Sequence, residues 1–229
     1  MKKIMIYPGA FDPFHLYHMI GTLYFGHEYG MDKVIILPSY RHEEKNTLDF
    51  GKRKEIIEAW SDELPLHKER VRPWIKKCPY LPRKPAFAMV VANNGEGYKN
   101  TGSRIAEIMD SYTLKEYYLL MGYDAFLKFD KFCDYEKILE KSNIIINNYD
   151  RETFRLETDE EEGKITATWD SGSVALPLVG KSKKRPKKII FDQNPATGLH
   201  SAYIREEPER YLHLFPPKVR KLIRKYYME

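Results

Sequence analysis

Two histidines, His15 and His18, lie three residues apart in the stretch YPGAFDPFHLYHM, which follows the apolar run KIMI and precedes a segment with helical spacing. Residues three apart in the first turn of a helix project to the same side. Gly9, just before them, lets a ligand approach the backbone, and a helix N-terminus offers unpaired N–H groups and a positive dipole end. The stretch therefore predicts an anion site, at which two imidazoles donate hydrogen bonds to a phosphate whose charge rises during displacement.

Two other interpretations of the histidine pair stay open on spacing alone. The pair could supply two ligands of a metal site, but no third Cys, His or carboxylate stands at convincing spacing, so we expect no metal held by protein side chains. The histidines could also be structural residues beside a turn. The elements around them have to decide between these interpretations.

Strand-like and helix-like segments alternate along the chain. The first are KIMIY, residues 16–29, KVIILP and LDFGKRKEIIEAWSDEL, in which Ile56, Ile57 and Trp60 share one helix face. The pattern resumes with GSRIAEIMDSYTL as a helix, EYYLLMG as a buried strand, DYEKILEKS as a helix, and NIIIN and KKIIFD as strands. This order predicts an α/β, Rossmann-like doubly wound parallel sheet of about five core strands with helices on both faces.

Two segments interrupt this alternation within what we interpret as a single domain, residues 1–229. The proline-rich and then Gly/Asn-rich residues 73–104 predict an irregular insertion or lid. Residues 151–186 contain FRLETDEEEGKITATW, which predicts a β-hairpin insertion with an acidic turn. Residues 201–229 predict a C-terminal helical segment that closes with the basic amphipathic stretch PPKVRKLIRKYY.

Composition limits the class of protein. The 14% aromatic share speaks against disorder. No apolar run approaches the roughly 18 to 20 residues that span a bilayer, and the N-terminus has no secretory pattern, so we expect a soluble cytoplasmic protein with no membrane partner. Cys78 and Cys133 belong to no CxxC pair, which fits a reducing compartment.

The net charge of +5 suits an anionic partner without identifying one. Much of the excess lies in KSKKRPKK, residues 181–188, shortly after the acidic TDEEEGK. We interpret this run as a solvated surface insertion with opposite charges in neighbouring segments. A nucleic-acid patch or a nuclear address is the less favoured alternative, because short Lys/Arg runs have a high false-positive rate.

At the level of motifs, GAFDPFHLYH resembles the G-[ST]-F-[DN]-P-x-[HT]-x-G-H stretch of the nucleotidyltransferase superfamily, whose members join a nucleotide to a phosphorylated acceptor and release pyrophosphate. Further matches follow in the family's order. LPSYRHEEKNTLDFGKRKEII is similar to the segment after the second strand, LLMGYDAFLKFDKFCDYEKIL to the G-x-D-x-[LF] strand end, GLHSAYIR to I-S-S-T-x-I-R, and YLHLFPPKVRKLIRKYYM to the C-terminal ending. The ordered set resembles nicotinamide and nicotinate mononucleotide adenylyltransferases.

This resemblance implies an enzyme of NAD biosynthesis. It would transfer the adenylyl group of ATP to nicotinamide or nicotinate mononucleotide, form NAD or its deamido form, and release pyrophosphate. The phosphate of the mononucleotide would attack in line, so catalysis would be positioning and charge stabilisation. Mg²⁺ would accompany ATP on the phosphates, largely through water.

The resemblance also implies roles for individual residues, each of which has a duller alternative as a capping, surface or core residue. His15 and His18 would be catalytic. The implied ATP-binding set is Gly9, Ala10, Phe11, His15, His18, Lys45, Arg53, Gly122, Asp124, Ser201 and Arg205. The implied mononucleotide-binding set is Phe11, Tyr112, Thr113 and Phe132.

The chain departs from the family pattern at several positions. Tyr17 replaces the glycine between the two histidines, Pro8 replaces the family's first glycine, and Ala10 replaces a hydroxyl residue. His200 and Ala202 replace a serine and a threonine of the late motif. Two rival functions therefore stay open: a related nucleotidyltransferase with a different phosphorylated acceptor, and a catalytically impaired nucleotide-binding homologue. The sequence also leaves open whether the chain forms a homo-oligomer.

Overall fold

The structure is a computed structural model that describes residues 1–40, 47–63, 87–92, 100–112, 115–147, 155–159, 164–169, 172–177, 188–192 and 198–229. Of the three strands between residues 155 and 177, the backbone alone is described. Two predicted site residues, Lys45 and Thr113, lie outside the described residues, as do Cys78 and residues 181–187 of the basic run.

Strands and helices follow one another as the sequence predicts. The strands are β1 (Lys2–Gly9), β2 (Lys33–Pro38), β3 (Ala88–Val91), β4 (Lys115–Gly122), β5 (Ser142–Asn147), β6 (Arg155–Asp159), β7 (Lys164–Trp169), β8 (Gly172–Pro177) and β9 (Ile189–Phe191). The α-helices are α1 (Leu16–Glu28), α2 (Phe50–Glu63), α3 (Thr101–Ser111), α4 (Tyr123–Phe126), α5 (Tyr135–Lys141), α6 (Ser201–Glu206), α7 (Pro208–Tyr211) and α8 (Pro217–Tyr227). Short 3₁₀ helices cover Phe129–Lys131 and Leu212–Leu214.

Six strands form one sheet in the order β3-β2-β1-β4-β5-β9. The pairs β2·β3, β1·β4, β4·β5 and β5·β9 run parallel, with Ile4 opposite Tyr117 and Ile144 opposite Ile189. Helices lie on both sides of this parallel sheet, so the predicted Rossmann-like α/β fold is confirmed.

One strand of the sheet was not predicted. β3 lies inside the segment predicted as an irregular insertion, so the sheet has six strands rather than about five. It has only four residues, it stands at the edge of the sheet, and Val90 is 43% exposed. The run AFAMVVA around it is apolar, but the prolines before it and the Asn/Gly-rich residues after it predicted an irregular segment.

The apolar runs of the sequence form the core that holds the sheet. Residues 4–6, 34–37, 119–121 and 144–146 are all buried, as expected for parallel strands covered on both faces. On α2 the predicted face is confirmed, since Ile56, Ile57 and Trp60 are at most 2% exposed. Trp60 also donates its indole N–H to the Phe14 carbonyl at 3.1 Å.

A second, antiparallel sheet has the order β6-β7-β8. Residues of β6 and β7 pair as the predicted hairpin does, with Glu157 opposite Thr166. β8 then adds a third strand, with Thr166 opposite Ala175. Residues 160–163, at the predicted acidic turn, lie outside the described residues.

The chain divides into two compact units. The first contains residues 1–6 and 100–193, and the second contains residues 7–99 and 194–229. The interpretation of residues 1–229 as a single domain stays a prediction. Among the described residues, every helix is too short or too polar to span a membrane.

Candidate active site

The segment from residue 9 to residue 18, which we name the histidine turn, connects the end of β1 to the start of α1. Phe11 has a φ of 50°, in the left-handed region, and its ring lies over Gly9. A Cβ on Gly9 would stand 2.7 Å from Phe11 Cε1, so a larger residue would displace the ring. The buried Phe11 ring also meets the rings of Phe14 and His18 edge-on, which fixes the path of the turn.

His15 and His18 cap the N-terminus of α1. His15 is the N-cap residue, and its Nδ1 accepts a hydrogen bond from the Tyr17 N–H at 3.3 Å. His18 Nδ1 accepts from the His15 N–H at 3.3 Å. This is the reciprocal arrangement of a capping box, with two imidazoles in place of the usual Ser/Thr and Glu/Gln. The structural interpretation of the pair is therefore correct, and it does not exclude the phosphate-directed one.

The capping bonds determine which nitrogen of each ring can act on a ligand. A neutral imidazole has one acceptor and one donor nitrogen, so a ring that accepts at Nδ1 carries its proton on Nε2. The His15 and His18 rings stack with their centroids 3.8 Å apart and their planes 27° apart. The backbone thus holds a pair of imidazoles whose free groups are two Nε2–H donors.

Burial keeps this pair uncharged. It lowers the pKa of His18 to about 3, with a further contribution from the charge of His200. It also lowers the pKa of His15 well below its usual range, with additional contributions from His18 and His200. At neutral pH both rings are therefore neutral hydrogen-bond donors, rather than cations.

Asp12 is the point at which α6 and α8 meet the histidine turn. Its carboxyl is 2% exposed, and its Oδ1 accepts a hydrogen bond from Tyr227 Oη at 2.6 Å. Arg205 Nη1 donates to the Asp12 carbonyl and lies 3.7 Å from Asp12 Oδ2. Ser201, the first residue of α6, donates its hydroxyl to the Pro13 carbonyl at 3.0 Å. The structure thus brings the predicted Ser201 and Arg205 to the histidine turn.

Arg53, another predicted phosphate ligand, is wholly buried on α2. Its Nε donates to the Leu48 carbonyl at 2.7 Å, and Nη1 donates to the Ala10 carbonyl. Nη2 donates to the carbonyls of Ser39 and Tyr40 at 2.7 and 3.1 Å. The phosphate contact of Arg53 stays a prediction, and this geometry supports a different role, in which the guanidinium ties the loops after β1 and β2 to α2.

The remaining predicted residues that the structure describes lie in the first unit, with Gly122, Asp124 and Phe132 at or after the end of β4 and Tyr112 before that strand. A Cβ on Gly122 would stand 2.6 Å from Asp124 Oδ1, so the carboxyl folds back over the glycine. Asp124 is exposed in the first turn of α4. Phe132 is half-buried, with its ring centroid 5.5 Å from that of Phe129, and Tyr112 is 38% exposed after α3. We name residues 122–132 the β4 end.

The histidine turn and the adjacent Arg205 are together suited to phosphate chemistry. The turn supplies two fixed neutral donors, and Arg205 supplies a guanidinium on a side chain that is 35% exposed. An arginine can bind a phosphate bidentately, and neutral imidazole donors stabilise negative charge that increases in a transition state.

Comparison with known proteins places this arrangement in a family. The family model described as cytidylyltransferase-like matches residues 6–207, which is most of the chain and includes the whole histidine turn. The chain belongs to the cytidylyltransferase-like family. This membership confirms the resemblance to nucleotidyltransferases that the motifs indicate. No curated protein sequence matches the chain significantly.

Solved structures support the same fold at low sequence identity. Plasmodium falciparum nicotinic acid mononucleotide adenylyltransferase, complexed with NaAD, is 13% identical with a TM-score of 0.63, over 99% of this chain and 96% of that one. The same enzyme complexed with APC has 13% identity and a TM-score of 0.61, with 99% and 96% covered. A candidate nicotinate-nucleotide adenylyltransferase from Vibrio parahaemolyticus is 18% identical with a TM-score of 0.52, over 98% of this chain and 93% of that one.

Two departures of this cytidylyltransferase-like chain from the motif lie beside the histidine pair. Tyr17 is half-buried, and its ring approaches that of His15 edge-on at 6.3 Å. Burial raises the pKa of Tyr17, so its phenol stays protonated. His200 is the exposed N-cap residue of α6, and its ring meets Tyr203 edge-on at 5.3 Å. Both capping bonds of the histidine pair form in the presence of these residues.

Sequence reasoning missed Asp12 and Tyr227. The sequence did indicate a role for Asp12, because this acidic residue lies in the FDP stretch among predicted phosphate ligands. A carboxylate in such a place requires a positively charged or hydrogen-bonding partner. No comparable signal existed for Tyr227, whose partner lies 215 residues away along the chain. Nothing in the sequence indicated that the hydroxyl of Ser39 is buried without a hydrogen-bond partner among the described residues.

Proposed function

We propose that the chain is an adenylyltransferase that joins ATP to nicotinamide or nicotinate mononucleotide and releases pyrophosphate, as an enzyme of NAD biosynthesis. The observation that carries the proposal is the stacked, neutral histidine pair capping α1 beside Arg205. The fold neighbours support the substrate class, since two of them are structures of nicotinic acid mononucleotide adenylyltransferase with NaAD or APC bound.

In the proposed reaction, a phosphate oxygen of the mononucleotide attacks the α-phosphorus of ATP in line. The new bond joins that oxygen to the α-phosphorus, and the bond from the α-phosphorus to the bridging oxygen of the β-phosphate breaks, so the electron pair leaves with pyrophosphate. The Nε2–H groups of His15 and His18 donate to oxygens whose negative charge increases during this step. Because both rings are already fixed by the α1 backbone, they need no reorganisation when the charge appears.

The other predicted ATP contacts form part of the same proposal. Arg205 and Ser201 bind the β- or γ-phosphate, while Gly9 allows close approach of the nucleotide to the backbone. Ala10 and Phe11 line the same turn, Lys45 neutralises phosphate charge, and Arg53 acts there either directly or through the loops that it ties together. Gly122 leaves room for the nucleotide, and Asp124 accepts hydrogen bonds from a ribose hydroxyl.

For the pyridine mononucleotide we propose the set that the resemblance implies, namely Phe11, Tyr112, Thr113 and Phe132. An aromatic ring can stack on a pyridine ring, and the half-buried Phe132 and the partly exposed Tyr112 have ring surface available for such a contact. Phe11 is buried beneath its own aromatic neighbours, so its contribution would be to shape the turn.

Mg²⁺ belongs to the proposal as the partner of ATP. It takes oxygen ligands and dehydrates reluctantly, so it commonly remains on substrate phosphates with several waters. Among the described residues, no group of three or more His, Cys, Asp or Glu side chains is placed to hold a metal ion. We propose that phosphate oxygens and water would hold the ion, whose positive charge would offset the negative charge of the leaving pyrophosphate.

A second candidate function is transfer to a different phosphorylated acceptor. The description of the family as cytidylyltransferase-like favours it, because it names a different nucleotide. The replaced motif residues Tyr17 and His200 keep a third candidate, a nucleotide-binding homologue with impaired catalysis. A cytoplasmic location stays a prediction, binding of nucleic acid by the basic run 181–188 stays the less favoured alternative, and homo-oligomer formation stays open.

The test is release of pyrophosphate by the purified chain with Mg²⁺, using ATP or CTP as donor and nicotinamide or nicotinate mononucleotide as acceptor. We expect turnover with ATP and one or both mononucleotides. Turnover with CTP, or with ATP and a different phosphorylated acceptor, would favour the second candidate. Calorimetric binding of the mononucleotides without any turnover would favour the third.

A further inference from the structure

A buried carboxyl connects the C-terminal helix to the histidine turn, and the proposed reaction does not use it. Asp12 is 2% exposed, and its carboxyl accepts a hydrogen bond from Tyr227 Oη at 2.6 Å and lies 3.7 Å from Arg205 Nη1. Its Oδ2 makes no hydrogen bond among the described residues. A buried carboxyl with only one strong hydrogen bond depends heavily on that bond for its position.

Asp12 in turn restrains Arg205 through two different groups. The guanidinium donates to the Asp12 main-chain carbonyl and stands within ion-pair distance of the Asp12 carboxyl. Arg205 also belongs to α6, which has only six residues and is fastened to the turn by the hydroxyl of Ser201. A short helix gives little support of its own, so the orientation of Arg205 depends on Asp12.

The tyrosine that holds Asp12 is itself placed by a firmly anchored helix. The N-terminus of α8 is capped by a side chain of α2, because Glu63 Oε2 accepts from the N–H groups of Lys218 and Val219 at 2.9 and 3.4 Å. Lys218 Nζ also pairs with Asp62 at 2.6 Å. Val219 and Ile223 are buried along the same helix. The position of Tyr227 is thus determined by α2, independently of the histidine turn.

We propose that Tyr227 is a positioning residue of the site, whose hydroxyl holds the Asp12 carboxyl and thereby orients Arg205 toward the phosphates of ATP. This inference rests on the proposed function insofar as it takes ATP as the ligand. It assigns to the C-terminal helix a role in nucleotide affinity, although Tyr227 itself does not touch the nucleotide. Burial, together with the hydrogen bond to Asp12, raises the pKa of Tyr227, so its hydroxyl keeps the proton that it donates.

The experiment measures ATP binding by calorimetry for the wild type, Tyr227→Phe and the matched control Tyr226→Phe. Tyr226 precedes Tyr227 on the same helix, and its hydroxyl bonds the exposed Glu55 instead of the site. We expect Tyr227→Phe to bind ATP about tenfold more weakly, as for the loss of one hydrogen bond to a charged group. Tyr226→Phe should bind ATP as the wild type does.

A double-mutant cycle with Arg205→Lys separates positioning from a general structural role. If Tyr227 acts through Arg205, then Tyr227→Phe should weaken ATP binding less than about twofold once Arg205 is lysine. Equal weakening in both backgrounds would overturn the inference, as would unchanged affinity in Tyr227→Phe. Should Tyr227→Phe not fold, Asp12→Asn replaces it in the cycle, with the same expectation, because it weakens the same link between Tyr227 and Arg205.

Steady-state kinetics supplies the second readout. The KM for ATP should rise in Tyr227→Phe while kcat changes less, because the histidine pair keeps its capping bonds. The affinity cycle uses ATP alone, so its result does not depend on the acceptor. An absence of turnover with either pyridine mononucleotide would therefore overturn the proposed function and leave the inference standing, whereas a wild type that binds no ATP would overturn both.

Discussion

The ends of β1 and β4 occupy equivalent places in the fold, since each is the carboxyl end of a parallel strand that leads into a helix, but they are built differently. At the histidine turn, the side chains of His15, His18 and Arg205 all hydrogen bond to the backbone. At the β4 end, Asp124 is exposed and Phe132 is half-buried against one neighbouring ring. One region is organised before any ligand arrives, and the other offers accessible side chains.

This difference matches two different tasks in a transfer reaction. Donors that stabilise charge in a transition state act best when they are already fixed, because they then need no reorganisation. Side chains that select and hold a substrate can be ordered by binding, at a cost of about 0.5 to 1.5 kcal/mol for each one immobilised. We therefore expect substitutions at the histidine turn to lower kcat or stability, and substitutions at the β4 end to raise KM.

The largest effect is expected for His18→Ala, which removes one of the two fixed donors. Loss of one such donor typically lowers kcat by about 10²- to 10³-fold, which corresponds to roughly 3 to 4 kcal/mol of barrier. Because His18 also caps the His15 N–H, we expect a second loss of about 1 kcal/mol in the free energy of unfolding. Pyrophosphate release and chemical denaturation measure the two effects separately.

His27→Ala serves as the control for this prediction. His27 is exposed in the last turn of the same helix, so its removal should leave both kcat and stability within the range of ordinary surface substitutions. An undiminished kcat in His18→Ala would mean that the fixed pair acts only as a helix cap.

The second prediction concerns Arg53→Lys, which tests whether the hydrogen bonds of Arg53 to backbone carbonyls hold the histidine turn in place. Four carbonyls accept hydrogen bonds from the buried guanidinium, whereas a lysine has three donors on one atom and cannot span them. Burial lowers the pKa of Arg53, so this site disfavours a positive charge. We expect the free energy of unfolding to fall by about 3 kcal/mol, as when a buried charge loses part of its partners.

Chemical denaturation measures this loss, and Lys54→Met on the same helix is the control. Lys54 is 28% exposed and, among the residues that the structure describes, forms an ion pair with Glu58 alone, so its replacement should change stability by no more than about 0.5 kcal/mol. If Arg53→Lys retained full stability but lost ATP affinity, the predicted phosphate contact would be favoured over the tying role.

The hydrogen-bond partners of Arg53 show which parts of the site can be predicted from the sequence and which cannot. The HxxH spacing and the position after an apolar run suffice to predict a helix N-terminus with two histidines, because those relations are local. The motif around Arg53 predicts a positive charge near the turn. The sequence does not reveal the four carbonyls, which come from two connections, β1 to α1 and β2 to α2, and are brought together by the fold.

The same distinction applies to the strands and helices. β1, β2, β4, β5 and β9 were predicted because each is an apolar run between turn residues, and buried parallel strands have that composition. β3 was missed because prolines precede its short apolar run and Asn/Gly-rich residues follow it, so the composition of the whole segment predicted a loop. The contact between Asp12 and Tyr227 was missed because no local pattern links two residues at opposite ends of a chain.

The third prediction is a pH dependence that belongs to the histidine turn. The pKa of His18 is lowered to about 3 in the folded chain, whereas an unfolded histidine has its usual pKa near 6.5. Below pH 6.5 the unfolded chain therefore binds more protons than the folded chain, and stability falls as the pH falls. For His18 this amounts to about 2 kcal/mol between pH 8 and pH 5, and His15 acts in the same direction.

His18→Gln is the matched variant for the pH measurement. A glutamine at this position can still accept the N-cap N–H, as in an ordinary capping box, but it does not titrate. We expect its free energy of unfolding to vary less with pH by about 2 kcal/mol over the same range. Identical curves for wild type and variant would mean that the pKa of His18 does not change on folding.

The smallest effect is expected for Asp124→Asn at the β4 end. An asparagine keeps the oxygen that would accept a ribose hydroxyl but loses the charge, and a charge-assisted hydrogen bond is stronger than a neutral one by about 1 kcal/mol. We expect the KM of a nucleotide substrate to rise about fivefold, with kcat unchanged. Because Asp124 is exposed, the free energy of unfolding should change by less than about 0.5 kcal/mol.

Asp130→Asn is the control for this last prediction, because Asp130 is an exposed carboxylate in the 3₁₀ helix that follows α4. Asp130→Asn removes the same charge six residues further along the chain. A KM that rises equally in both variants would therefore indicate a general effect of charge. A fall in kcat for Asp124→Asn as large as that for His18→Ala would break the comparison from which these predictions start. The β4 end would then take part in the chemical step, and an exposed carboxylate would have to become fixed when the substrates bind.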